Sequence, residues 1–171
     1  MSGFPLGEVG PCQIQFGGVD LGYTKGGTTF DHKEETVKIT YDQTGKTTQN
    51  VIGMGGAATV KTALANPSLA ILATLIPGAA IDADGMIVMA SAGVNKRATM
   101  AKELILTIMD GLNPSVDPDA TLVVFVAVPT IEASWKFDDS GQRVTSITFD
   151  ALPDDFSGNV GALYRIGLPT P

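Results

Sequence analysis

Hydrophobic and polar residues alternate along much of this chain with a period of two, which is typical of β-strands with one buried face. Between residues 35 and 41 the apolar positions include Val37 and Ile39, with polar residues between them. Residues 57–65 alternate in the same way. Residues 102–109 are rich in branched side chains, which favours another strand. The pattern predicts a protein built mainly from strands.

The segment 121–154 predicts a three-stranded β-meander. Its first strand, residues 122–128, is apolar on both faces, so the face turned away from the core needs a second cover. Residues 132–137 alternate as a second strand, and the third ends near residue 152. The third strand is expected to pair with the second, with Ile147 and Phe149 opposite Trp135 and Phe137.

Turn and cap signals divide the rest of the chain. The pairs Gly17-Gly18 and Gly26-Gly27 predict two tight hairpin turns. Residues 42–50 are all polar and predict a long projecting hairpin loop. Asn66-Pro67 predicts a helix of about ten residues, with Asn66 as the N-cap and Pro67 in the first turn, ending at Pro77-Gly78.

Composition agrees with this reading. The chain has 171 residues, a length that fits one domain spanning residues 1–171. Aromatic residues make up only 6%, while 20 glycines and 10 prolines cut the chain into short pieces, which argues against a helical bundle. We therefore expect a mainly β fold: an antiparallel β-sandwich or barrel with one short flanking α-helix.

Charge and cysteine content narrow the range of functions. Eighteen acidic residues against 11 basic ones give a net charge of -7, which disfavours binding to nucleic-acid phosphates. Cys12 is the only cysteine and cannot close an internal disulfide. The first 15 residues show no secretion signal, and no apolar run is long enough to span a membrane. We expect synthesis and assembly in the cytoplasm.

Candidate chemical motifs are weak. Gly45-Lys46-Thr47 resembles the end of a phosphate-binding loop, but Thr40 stands where that motif requires glycine. Gly53, Gly55 and Ala58 satisfy G-x-G-x-x-A, yet the residues before them are mostly polar rather than a buried strand. A glycine hinge at the base of a loop is the simpler interpretation.

The remaining reactive side chains also favour simple interpretations. His32 is the only histidine, and the acids next to it in sequence would point to opposite faces of a strand, so a solvated polar face is expected rather than a metal site. Cys12 lacks the surroundings of an activated thiol. The sequence predicts no catalytic residue, no cofactor and no metal, and hence a protein that is not an enzyme.

The order of several short segments resembles the tail tube proteins of long-tailed bacteriophages. The resemblance covers much of the chain, although residues 77–95 depart from the family pattern. The segments that carry it are Gly17-Gly18-Val19-Asp20-Leu21-Gly22, Thr24-Lys25-Gly26-Gly27, Tyr41-Asp42-Gln43 with Gly45, Ala127-Val128-Pro129, Phe149, and Ala151-Leu152-Pro153-Asp154 before Gly161.

The resemblance implies a structural subunit of the virion that forms stacked hexameric rings around a channel for genome ejection. Strands of neighbouring copies would join into one wide barrel, and DNA would cross the lumen without specific binding. Partners would be other copies of the chain and the sheath, tape measure and baseplate proteins of the tail.

In that picture the polar loop orders on the adjacent ring, and the doubly apolar strand finds its second cover between subunits or against the helix. The candidate contact residues are Asp42, Gln43, Thr44, Gly45, Lys46, Thr47, Thr48, Gln49, Val124 and Val126. Three other interpretations stay open: a related tube-like or tail-completion protein, a monomeric β-sandwich that binds sugar or peptide, and an oxidoreductase using Gly53, Gly55 and Ala58.

Overall fold

The protein is a mainly β domain with one short α-helix among the residues that the structure describes. The structure is a computed structural model that describes residues 11–40, 47–76, 78–89, 97–132, 144–154 and 160–167. The longer strands, numbered in chain order, are β1 Cys12–Phe16, β3 Thr24–Thr40, β4 Thr48–Ala65, β7 Lys102–Asp110, β9 Thr121–Glu132 and β10 Val144–Leu152. The shorter ones are β2 Val19–Asp20, β5 Ala79–Ile81, β6 Ile87–Met89, β8 Asn113–Pro114 and β11 Tyr164–Ile166.

One antiparallel sheet holds nearly all of these strands. Its order is β2-β1-β7-β9-β10-β4-β3, with β11 added beside β9 and β8 beside β7. The hairpin β5–β6 forms a separate two-stranded sheet. The strands predicted at residues 57–65 and 102–109 are confirmed as parts of β4 and β7.

The sheet curls upon itself in the manner of a barrel. Strands β1 and β10 are separated by β7 and β9, which in a flat sheet would put them about 14 Å apart. The rings of Phe16 on β1 and Phe149 on β10 nevertheless lie with centroids 5.3 Å apart. The two edge strands, β2 and β3, are also joined by only three residues, among which Leu21 is buried in the core.

The core fills the concave side of this sheet. Its members come from β1, β4, β7, β9 and β10, with one from the helix and one from the connection after β2. They are almost fully buried: Ile14, Phe16, Leu21, Val60, Leu64, Leu75, Leu104, Leu106, Val124, Ala127, Ile147 and Phe149. Aliphatic and phenylalanine side chains dominate, so burial of apolar surface stabilises the fold. The predicted mainly β fold, an antiparallel sandwich or barrel with one short helix, is confirmed.

The single described α-helix, α1, spans Leu69–Leu75 and begins two residues later than the sequence suggested. Its N-cap is Ser68, whose Oγ accepts a hydrogen bond from the Ile71 N–H at 3.3 Å. Asn66 instead adopts a left-handed conformation with φ 50°. The prediction of Asn66 as the cap was therefore wrong, because Asn66 turns the chain from β4 towards the helix.

Only the first glycine pair makes a hairpin turn. Gly17 and Gly18 connect β1 to β2 with φ 58° and 79°, as a tight primed turn requires. Gly26 and Gly27 lie inside β3, where the register to β4 shifts between Thr24 and Thr28. The second predicted turn is instead a bulge, a distortion that glycine also favours.

Strand β9 runs without a break through the position of the predicted turn. It continues past Pro129 to Glu132 and pairs directly with β10. Ile147 and Phe149 therefore face Ile131 and Pro129, so the predicted partners Trp135 and Phe137, which lie outside the described residues, were wrong. The described pairing of β9 with β7 ends at Ala127. Pro129 therefore has no β7 partner, and its missing N–H costs no hydrogen bond on that side of β9.

Candidate assembly surface

The hairpin β3–β4 projects beyond the rest of the sheet. Strand β10 pairs with β4 only over residues 59–65, so the earlier part of β4 has β3 as its only described neighbour. We define the arm as residues 33–40 and 48–57. Every side chain described in the arm is exposed, except Ile39, which is half-buried. A two-stranded ribbon of this kind is marginally stable in water, which makes the arm a natural contact surface.

The arm carries apolar side chains on both faces. Val37 is 48% exposed and pairs with Ile52, which is 44% exposed, so these two lie on one face. Val51 pairs with Lys38 on the other face and is 52% exposed. Met54, at a bulge in β4, is 66% exposed. Exposed apolar residues grouped on one element mark interaction sites more often than isolated ones do.

The alternation of polar and apolar residues did not predict these β4 residues as contact residues. Val51 and Ile52 directly follow the polar segment, and that apolar pair is the signal that could have found them. The predicted half-buried strand at residues 35–41 does pair in a sheet, but Val37 stays exposed because nothing in the described chain covers the arm.

The base of the arm is held by an aromatic cluster. Tyr164 of β11 meets Phe30 edge-on with ring centroids 4.9 Å apart. The same tyrosine hydroxyl lies 2.9 Å from Nδ1 of His32, within hydrogen-bonding distance. His32 remains exposed, as the sequence predicted for a polar strand face. Beyond His32 no such contact supports the described part of the arm.

The glycine motif lies within this ribbon. Gly53, Gly55 and Ala58 all lie within β4. They pair with Thr36, Glu35 and His32 of β3, in that order. A dinucleotide site needs its glycines between a strand and the start of a helix, and here the strand simply continues. The local geometry therefore does not fit the oxidoreductase interpretation.

The predicted contact residues divide into three groups. Residues 42–46 lie outside the described residues. Thr47 and Thr48 are exposed beside the arm's tip, and Gln49 belongs to β4, so residues 48–50 extend the strand rather than the loop. On β9, Val126 is half-buried, whereas Val124 is 1% exposed and belongs to the core of its own chain.

A bulge explains why Val124 and Val126 differ. Lys102 pairs with Ala127 and Leu104 with Val124, so two residues of β9 lie opposite one residue of β7. Val124 and Ala127 consequently both reach the core. Val123, which belongs to the other alternation of β9 and lies outside that core cluster, is also fully buried. Much of the second cover expected from a neighbouring subunit is thus provided within the chain.

The outer side of strands β3, β4, β10 and β9 forms a continuous polar surface. Cross-strand pairing sets Thr29, Lys61, Thr148 and Thr130 in one row. We call this surface the polar face, and every member is exposed or half-buried: Thr29, Asp31, Thr59, Lys61, Thr130, Glu132, Ser146, Thr148 and Asp150. Lys61 Nζ lies 4.0 Å from Asp31 Oδ2, an exposed pair that contributes little to stability.

Neither metal nor membrane chemistry stands out in these ranges. Among the described residues, no three His, Cys, Asp or Glu side chains come together as a potential metal site. The helix in the described part of the chain is too short to cross a bilayer. What distinguishes the surface is the contrast between the exposed apolar side chains of the arm and the polar face, which has none.

Comparisons with known proteins show a likeness of fold. No protein family matches the chain by sequence, and no curated protein matches it. The fold is similar to the cryo-EM structure of the anti-feeding prophage cap, described as the AFP tube terminating cap, with a TM-score of 0.51 and 12% identity. The match covers 83% of this chain and 84% of that chain, so it extends over most of the domain.

Proposed function

We propose that this protein is a structural subunit of a phage-type tail tube, in which copies form hexameric rings that stack around a channel. The observation that carries the proposal is the arm, a long ribbon with apolar side chains on both faces and no cover from the described chain. The likeness of fold to a tube terminating cap supports the same assignment.

Both edges of the arm are open to strand addition. Strand β3 is an edge strand of the sheet, and β4 has no β10 partner before residue 59. An unpaired edge presents N–H and C=O groups that a second chain can pair with. If β3 of one copy pairs with β4 of the next, the contact is heterologous, and a ring closes when the rotation between copies permits.

The polar face is suited to the wall of an aqueous channel. It contains none of the exposed large apolar side chains, and most of its members are short hydroxyl or carboxylate residues. Its carboxylates, Asp31, Glu132 and Asp150, outnumber Lys61, so a passing polyanion such as DNA would meet little attraction. The genome would slide rather than bind.

A tube cap is the second candidate, favoured by the description of the similar solved structure. A tube subunit polymerises along an axis, whereas a cap forms a single ring on a tube end. The two share the arm and the ring, and they differ in stacking. Sheath, tape measure and baseplate proteins are partners of the proposed tail in either case.

Negative-stain electron microscopy of the purified full chain tests this function. A tube subunit is expected to form rings and filaments at high concentration, and a cap is expected to form rings only. Val37→Asp should abolish both, because it puts a charge next to Ile52 among the arm's exposed apolar side chains. Val116→Asp, at a fully exposed valine outside the arm, is the matched control and should assemble normally. Lone particles in every buffer would contradict the proposal.

A further inference from the structure

The β3–β4 ribbon changes character over a few residues. Phe30 is half-buried against Tyr164, and opposite it in β4 Val60 is buried in the core. From residue 33 onward the described side chains are exposed apart from one. His32 lies at the boundary and makes the last contact with the barrel, through Tyr164.

Gly56 provides the space that His32 occupies. A Cβ added at Gly56 would lie 2.9 Å from His32 Nε2, closer than real Cβ contacts allow. With any larger residue at position 56, the imidazole of His32 would have to move. Since Nδ1 of the same ring faces the Tyr164 hydroxyl, a displaced ring would also lose the contact with β11.

A bulge lies directly beyond this contact. Glu35 pairs with Gly55 and Thr36 with Gly53, which leaves Met54 as an extra residue in β4. Gly55 has φ 117°, a conformation that residues with a side chain rarely adopt. Bulges bend a ribbon and increase its twist, so this position determines the angle of everything above it.

We propose that His32, Tyr164 and Gly56 form a latch that sets the direction in which the arm leaves the barrel, and that the bulge at Gly55 is the pivot above it. The latch fixes the root of the arm by side-chain contact, and the pivot sets its tilt by backbone geometry. Its purpose rests on the proposed function, because presenting the arm at a defined angle lowers the cost of ordering it on a neighbour. The geometry itself belongs to one chain and can be measured without assembly.

Distances between two spin labels, measured by double electron–electron resonance, test the latch. In a Cys12→Ser chain, labels on Thr40→Cys in the arm and Ser146→Cys on the barrel report the arm's direction, and dilution with unlabelled chain isolates single copies. A tilt of about 10° at the root of a ribbon roughly 30 Å long moves its end by about 5 Å, which such distances resolve. The unsubstituted latch should give a narrow distance distribution.

The latch variants have defined expectations. Tyr164→Phe removes the hydroxyl but keeps the ring on Phe30, and it should broaden the distribution. Gly56→Ala should displace His32 and shift the mean distance, and adding Tyr164→Phe to it should change little more, because the contact is already lost. Tyr23→Phe, at a tyrosine that is 87% exposed, should leave the distribution unchanged.

The pivot has its own matched control. Gly55→Ala and Gly111→Ala both place a side chain at a positive φ with open space around it, but only Gly55 lies in the ribbon. Gly55→Ala should shift the mean distance, and Gly111→Ala should not. If Tyr164→Phe gives the same distribution as Tyr23→Phe, the latch is refuted. If Gly55→Ala matches Gly111→Ala, the pivot is refuted. Both results hold whether or not the chain forms tubes.

Discussion

The contact between Phe16 and Phe149 joins two strands that are not neighbours in the sheet. Both rings are 1% exposed, and they come from β1 and β10, which have β7 and β9 between them in the sheet. Their meeting is the residue-level sign that the sheet has curled. Losing either ring would leave a cavity that several strands would have to close together, so this pair connects local packing to the closure of the fold.

Phe149→Ala should therefore be strongly destabilising. Removing a buried phenylalanine typically costs about 3–5 kcal/mol, through lost transfer free energy and the cavity that remains. Tyr23→Ala, which removes a ring that is 87% exposed, should change stability by less than about 0.5 kcal/mol. Urea unfolding of the dissociated chain measures both. Similar unfolding midpoints for the two variants would show that the barrel does not depend on this contact.

The N-cap of the helix offers a second residue-level prediction. Ser68→Ala should lower the free energy of unfolding by about 1 kcal/mol, because the Ile71 N–H loses its partner. Asn66→Gly should be neutral or slightly stabilising, since glycine adopts the positive φ at this position without strain. Thermal unfolding of both variants checks the assignment, and the opposite ranking would restore Asn66 as the cap.

At the scale of elements, a deletion at the end of the arm should affect stacking of rings but not their formation. Deletion of residues 43–50 removes the segment predicted to reach the adjacent ring together with residues 48–50 of β4. Rings should persist while filaments are lost, as seen by negative stain. Replacing residues 43–47 with glycine and serine of equal length is the control that distinguishes reach from side-chain chemistry. Intact filaments after the deletion would assign stacking to another surface.

Local patterns predicted strands better than they predicted partners. Alternation identified residues 57–65, because that segment buries one face against its own core. The same alternation at residues 35–41 predicted a half-buried strand, and Val37 is exposed, since a period of two does not reveal whether any element covers the face. Bulges escaped prediction for a related reason: Gly26-Gly27 favours a turn and a bulge equally, and long-range register decides between them.

The candidate surface was predictable only in part. The polar character of residues 42–50 indicated a projecting hairpin, and β3 and β4 do extend towards it. The pairing of His32 with Tyr164 joins positions 132 apart in sequence, and no periodicity connects them. Val124 and Val126 had the same local pattern, yet the bulge after Val124 gives the next core position to Ala127 instead of Val126. Such differences in burial depend on how a strand pairs with its neighbour, which the local sequence does not determine.

At the scale of the whole molecule, the surface separates into parts suited to contact and a part suited to water. Large apolar side chains are exposed on the arm and on loops, among them Leu112 at 94% and Val116 at 100%, while the polar face has none. In an assembly the apolar side chains of the arm are expected to be buried and the polar face to stay wet. A tube offers two wet surfaces, its exterior and its lumen. Of these two surfaces, we propose the lumen for the polar face, because its carboxylates outnumber Lys61 and would not attract a passing polyanion.

Cysteine accessibility in assembled tubes tests that assignment. In a Cys12→Ser chain, Ser146→Cys places a thiol on the polar face and Val116→Cys places one on an exposed loop after β7. A small maleimide should modify Ser146→Cys in tubes, because the lumen is filled with water, whereas a maleimide carried on a folded protein should be excluded. Both reagents should modify it in dissociated chains. Modification of Ser146→Cys by the bulky reagent in tubes would show that the polar face lies on the outside of the tube. Protection from both reagents would show that it is buried between copies. Val116→Cys is the control that shows whether the bulky reagent can reach a thiol away from the polar face.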